Sequence, residues 1–253
     1  MLRTLLICGL IAGLSGGIVA SGFAKFVGEP PLDRAIAWEA AHASAGGGAH
    51  GAEVVSRTVQ GGIGLLAGAC VYGVSLGGLF ALVFAGAYGR ISQAGPARTA
   101  VGLGLAGFVV LYLVPFLKYP ANPPSVGDPA TIGERTTLYF GMMAISLLAA
   151  CAAVRLRVQL LAWLSRDVAT LGAIAAYVVV VVAAGLAMPS VDEVPATFPA
   201  TTLWDFRAAS AGVQLVMYTT IALVFGVAAE RAIEGALVRR EAVGAGRMSS
   251  PRR

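Results

Sequence analysis

Apolar residues fall into six blocks that contain no Asp, Glu, Lys or Arg: Leu5–Phe23, Gly61–Tyr88, Thr99–Leu117, Thr136–Val154, Val168–Met188 and Ala208–Ala229. The blocks are 19 to 28 residues long and make up about half the chain. About 20 consecutive apolar residues cross a bilayer as a helix. Inside the hydrocarbon only helices and closed barrels can satisfy their own backbone groups. The pattern predicts an all-α, polytopic membrane protein with six transmembrane helices arranged as three hairpins. The spans are expected at about 5–26, 61–88, 99–117, 136–154, 168–188 and 208–229. Together they form a membrane domain over 1–235, and 236–253 reads as a basic, disordered cytoplasmic tail.

Composition narrows the class further. Of 253 residues, 57% are hydrophobic and 12% charged, with a mean hydropathy of +0.79. Soluble domains average about 25% charged residues, so a soluble enzyme, a secreted disulfide module and a disordered chain are all excluded. Cys8, Cys70 and Cys151 sit singly in three different blocks, a spacing that makes neither a zinc motif nor a disulfide framework.

The net charge of +5 is informative through its distribution. Twelve of the 18 basic residues lie in the N-terminal tail, 89–98, 155–167 and the C-terminal segment, with four acids. The intervening segments hold Lys25, Arg34, Arg57, Lys118, Arg135 and Arg207 with nine acids. Basic residues accumulate on the cytoplasmic side, so both termini are expected inside the cell membrane and three acidic loops outside. The basic tail suits anionic lipid and not nucleic acid. Val19-Ala20-Ser21-Gly22-Phe23-Ala24 loosely resembles a signal cleavage site. Gly9, Gly13 and Gly17, however, stand four apart as a helix-packing stripe, which favours a retained first span.

The three outer loops share a plan: a proline-rich, acidic exit and an arginine before the next span. Arg57, Arg135 and Arg207 stand where a helix N-terminus prefers an acid, with Glu53, Glu134 and Asp205 close in sequence. Two readings stay open. One is local ion pairing with capping boxes at Thr131…Glu134 and Thr202…Asp205. The other is a structural charge cluster at the mouth of a pathway.

Candidate chemistry lies in the same loops. Glu39/His42 and His50/Glu53 are each three residues apart, on one face if helical. Imidazole with carboxylate suits a borderline divalent ion such as Co, Ni or Zn, although a solvated loop has the same composition. Asp128 is pinned among Pro120, Pro123, Pro124, Gly127 and Pro129, beside Asn122 and Tyr119. It is either a cation-stripping oxygen or the Asp of a tight turn. Gly13-Leu14-Ser15-Gly16 and Gly73-Val74-Ser75-Leu76-Gly77 mimic serine-hydrolase signatures, but such an elbow needs a strand–turn–helix setting. No span holds a histidine base, and no nucleotide-binding loop is present. A non-enzyme without a cofactor is expected. Met142 and Met143 are read as core packing.

Several strings together resemble the CbtA family of predicted cobalt transporter subunits. They are Glu29-Pro30 with Asp33-Arg34-Ala35-Ile36 and Glu39, and Val55-Ser56-Arg57 with Val59-Gln60. Tyr119-Pro120-Ala121-Asn122-Pro123-Pro124 with Gly127-Asp128-Pro129 and Thr131-Ile132-Gly133 adds to them, as does Phe198-Pro199 with Leu203-Trp204-Asp205-Phe206-Arg207. The resemblance runs from the first span to Glu230. It implies a multi-pass protein of cobalamin-linked cobalt supply, with a small single-span, histidine-bearing partner, CbtB. Many relatives carry a dense histidine run between the first two spans, where this chain keeps only His42 and His50. The expected metal ligands are therefore Asp128, Asn122, Glu29, Asp33 and Asp205, with His42 and His50 as a weak capture site. Arg57, Arg135 and Arg207 are expected to hold the carboxylates in place. The expected function is uptake of Co²⁺, with a non-transporting capture or assembly subunit as the alternative.

Overall fold

The computed structural model describes residues 1–46, 56–91, 94–124 and 126–248, the side chains of 43–46 and 237–248 excepted. Among these residues the chain is helical and contains no strand. The helices are α1 (Leu2–Phe23), α2 (Glu29–Gly46), α3 (Leu65–Ala87), α4 (Pro96–Gly107), α5 (Val114–Lys118), α6 (Ile132–Leu160), α7 (Arg166–Ala187) and α8 (Ala200–Met248). Wider π-helical turns at Ala24–Gly28, Gln60–Gly64 and Phe108–Leu113 join α1 to α2, lead into α3 and join α4 to α5. Among the described residues six continuous helical segments, one over each predicted block, are long and apolar enough to cross a membrane.

The first span does not stop at Glu29-Pro30-Pro31; helix runs unbroken from Leu2 to His42. A proline inside a helix removes a backbone donor and crowds the preceding turn, and the wider π-turn Ala24–Gly28 directly precedes Glu29-Pro30-Pro31.

The chain forms two compact units. The first comprises Met1–Lys25, Val54–Ala106 and Val213–Arg253, the second Phe26–Glu53 and Gly107–Gly212. In the first, α1 lies against α3 through glycines. Gly9 meets the backbone of Gly77, Gly13 that of Gly73, and Gly17 that of Ala69 and Cys70. A methyl group at any of these glycines would overlap a carbonyl of the facing helix, which is how small residues let membrane helices approach. Phe225 of α8 closes this core, edge-on to Phe80 at 5.2 Å and to Phe84 at 4.9 Å.

In the second unit α6 packs on α7 and on the segment 108–118. Tyr119, Met142, Ala149 and Val181 form the centre of that core. Met142 is buried and Met143 is not, as core packing requires of adjacent helical residues. Ser146, fully buried, donates to the Val110 carbonyl at 2.7 Å and lies 2.8 Å from the Tyr177 hydroxyl. Val110 lies in a π-turn, where the regular backbone ladder is interrupted; side-chain donors satisfy such carbonyls within a bilayer.

Both hydrolase-like serines sit inside helices. Ser15 returns its hydroxyl to Ile11 O at 3.0 Å, and Ser75 to Val71 O at 2.9 Å. Neither stands on a nucleophile elbow.

Candidate functional site

Three segments separated by spans meet in the second unit: α2, the loop 119–131 and the loop 188–199. Apolar contact begins the assembly. Ala35 and Trp38 of α2 pack with Val126, Val194, Phe198 and Leu203, and the Trp38 and Phe198 rings meet edge to face at 5.0 Å. At the end of the first loop's entry helix, Tyr119 is buried and donates its hydroxyl to Pro189 O at 2.8 Å. Burial raises its pKa, so it remains a neutral donor.

Glu193 is the polar centre of this junction. Its carboxylate accepts from the Thr131 hydroxyl at 2.7 Å and from the Asp128 amide at 2.9 Å. Arg135 Nε lies 3.4 Å from Glu193 Oε2. The Thr131 and Asp128 hydrogen bonds, and then the Arg135 charge, hold the Glu193 pKa below the ordinary glutamate value, against the opposing effect of burial. Arg135 also donates to Asp128 O at 3.2 Å. Its guanidinium covers Gly127, whose φ of +111° suits glycine and where a Cβ would strike the guanidinium.

A cavity of about 650 Å³ opens beside this junction. Its walls are aromatic, with Tyr112, Phe116, Tyr139 and Phe140, and its charged residues are Arg135, Glu193 and Arg207. Arg207, half-buried, donates through Nη2 to Asn122 Oδ1 at 2.8 Å and through Nε to Ala121 O at 3.2 Å.

The expected ligands are distributed differently from the sequence reading. Asp128 accepts from Ala130 N at 2.8 Å and caps the short helix Pro129–Thr131, which is the turn role. Asn122 spends its amide oxygen on Arg207. Asp205 is bound by Arg34, at 2.6 Å, with both side chains about half exposed. Glu29 opens α2 and Asp33 follows one turn later. His42 lies on the same helix, its ring stacked on Trp38 at 4.0 Å and its Nδ1 2.8 Å from Trp38 O. His50 and Glu53 lie outside the described residues. Among the described residues no group of three or more His, Cys, Asp or Glu is disposed to hold a metal ion.

The expected charge cluster is corrected in its pairing. Arg135 meets Glu193, not Glu134, which is exposed, and Asp205 meets Arg34, not Arg207. Residues one or two apart on a helix do not face each other, whereas the loops bring distant charges together. Arg135 and Arg207 line one cavity, while Arg57 belongs to the other unit. The capping boxes do not form. Thr131 makes no side-chain cap, its hydroxyl going to Asp128 O and Glu193, and Thr202 is buried inside α8. Glu193 and Arg34 are the working residues that sequence reasoning missed. The only signal for Glu193 was a second acid beside Asp192 in a loop already marked by prolines.

No curated protein and no solved structure matches this chain. One family model does, described as probable cobalt transporter subunit (CbtA), over residues 2–230. That match covers nearly the whole chain, membrane helices and loop junction alike, and the protein belongs to the CbtA family.

Proposed function

We propose that this protein carries Co²⁺ inward across the cell membrane, with the loop junction of the second unit as its receiving end on the outer side. Family membership supports the cargo. The observation that carries the site is the convergence of the loops 119–131 and 188–199 with Arg207 around one cavity, since plain connectors between spans have no need of a buried tyrosine and a carboxylate with three donors.

The basic residues of the alternate loops support an orientation with both termini in the cytoplasm. A charge of two entering a negative interior gains about 4.6 kcal/mol per 100 mV. That suffices for roughly a thousandfold accumulation, so no nucleotide site is required. Asp128 and Asp205 each engage a protein donor through one carboxylate oxygen, leaving the other for an incoming ion. Glu29 and Asp33 lie on α2 in the same unit. The neutral oxygens of Ser146, Tyr177 and Val110 offer a polar station among the spans below. Supply of cobalt for cobalamin synthesis is the role we infer for this flux.

A second reading has its own support: Asn122, Asp128 and Asp205 each already accept a hydrogen bond, and among the described residues no group of three or more His, Cys, Asp or Glu is disposed to hold a metal ion. In that reading the chain is a capture or assembly subunit, and a small CbtB-type partner completes the path.

Uptake of labelled cobalt by a transport-deficient host tests the proposal, with nickel and zinc as competitors. The chain is expected to confer uptake that Asp128→Ala/Asp205→Ala removes. Well-expressed chain that confers none alone, but does so with the partner present, selects the second reading. No uptake in either case rejects both.

A further inference from the structure

The charges around the loop cavity do not suit a bare dication. Arg135 is neutralised by Glu193 at 3.4 Å. Arg207 also lines the cavity, and its hydrogen-bond partners are neutral, the Ala121 carbonyl and the Asn122 amide oxygen. Among the described residues it has no carboxylate within ion-pair distance. The lining therefore carries a net positive charge. Its free hydrogen-bonding capacity is of donor type as well. A guanidinium has five N–H groups and no lone pair to offer, and two of the five are used here. Because Arg207 can only donate, Asn122 must turn its oxygen toward it, which leaves the amide NH₂ as a further donor. Aromatic walls complete a partly desolvated setting in which a charge-assisted hydrogen bond is strong.

We propose that this cavity binds a small carboxylate anion on Arg207 and the Asn122 amide, either free or already coordinated to the metal ion. Planar carboxylate matches the guanidinium fork bidentately. The inference deepens the transport reading and rests on it only for its purpose: the anion would supply the negative oxygens that the cavity lacks and so make a dication compatible with Arg207. It leaves Glu193 in its structural place.

Calorimetric titration of the purified full-length protein in detergent tests this, with citrate and succinate as probes, each with and without cobalt chloride. Binding is expected in the wild type, weakened at least about tenfold by Arg207→Gln and weakened less by Arg207→Lys, which keeps the charge but not the bidentate fork. Glu193→Gln, which removes the one negative charge of the lining, is expected to tighten binding several-fold, a change that misfolding cannot imitate. Binding without cobalt identifies the free anion as ligand, and binding only with cobalt identifies the chelate. No binding under either condition overturns the inference, as does unchanged affinity in Arg207→Gln. If Arg207→Gln fails to fold, absence of tightening in Glu193→Gln overturns it. Cobalt uptake by cells, measured with citrate or succinate present in the medium, is a separate readout. Its failure counts against the transport reading and leaves the equilibrium titration standing.

Discussion

Glu193 and Arg135 stand 3.4 Å apart across 58 residues of chain, and the same carboxylate takes the Thr131 hydroxyl and the Asp128 amide. One acid thus ties the loop before α8 to the loop before α6. Because these donors favour the charged form, the folded-state pKa lies below that of the unfolded chain. The contribution is complete above the ordinary glutamate range and is lost as pH falls through the depressed value. The loop junction is expected to loosen as pH falls below the ordinary glutamate range. Amide exchange or limited proteolysis of 119–131 should accelerate there, and Glu193→Gln should flatten the acid dependence. An unaltered profile in the variant would remove Glu193 from this role.

The glycine contact between α1 and α3 predicts a position-dependent response. Gly13→Ala or Gly77→Ala drives a methyl group into the facing backbone, and overpacking of this kind costs about 1–3 kcal/mol. Gly68→Ala meets nothing within 4 Å and should change stability by less than about 0.5 kcal/mol. Denaturant titration in mixed micelles separates the two classes. Equal effects would mean that the glycines are not the contact.

Much of this fold was legible from apolar periodicity. Charge-free blocks locate the spans because a bilayer tolerates no other pattern, and a glycine stripe at a spacing of four can only lie on one helix face. The loop site was only half legible. Asp128, Asn122 and Tyr119 were visible through their prolines, but Glu134–Arg135 and Asp205–Arg207 looked paired because they are neighbours in sequence. Helix geometry sends such neighbours to different sides, and the true partners are 58 and 171 residues away. Long-range pairing of that kind depends on how loops fold over one another, and no periodic signal records it.

Ser146→Ala removes the donor to Val110 O and the partner of Tyr177. Interhelical hydrogen bonds in membranes average about 0.6 kcal/mol and reach about 1.7, so a loss near 1 kcal/mol is expected, with Tyr177→Phe costing less. A double-mutant cycle on unfolding in micelles checks the coupling. Additive losses would show that the two hydroxyls do not act together.

Arg34 and Asp205, each about half exposed, form a pair worth about 0.2–1 kcal/mol. Stability should therefore fall slightly and equally in Arg34→Gln and Asp205→Asn. Uptake should not follow stability: under the proposed role of Asp205 as a cobalt ligand, Asp205→Asn is the more damaging change, by about tenfold or more. Equal uptake in the two variants would assign Asp205 to the ion pair alone.

The central claim is that this chain moves cobalt inward under the membrane potential. Purified protein in liposomes, with labelled Co²⁺ outside and an imposed inside-negative potential, addresses it directly. The account predicts accumulation that rises with the potential and disappears when the potential is collapsed. Absence of accumulation at every potential, from protein shown to be folded and inserted, would contradict it.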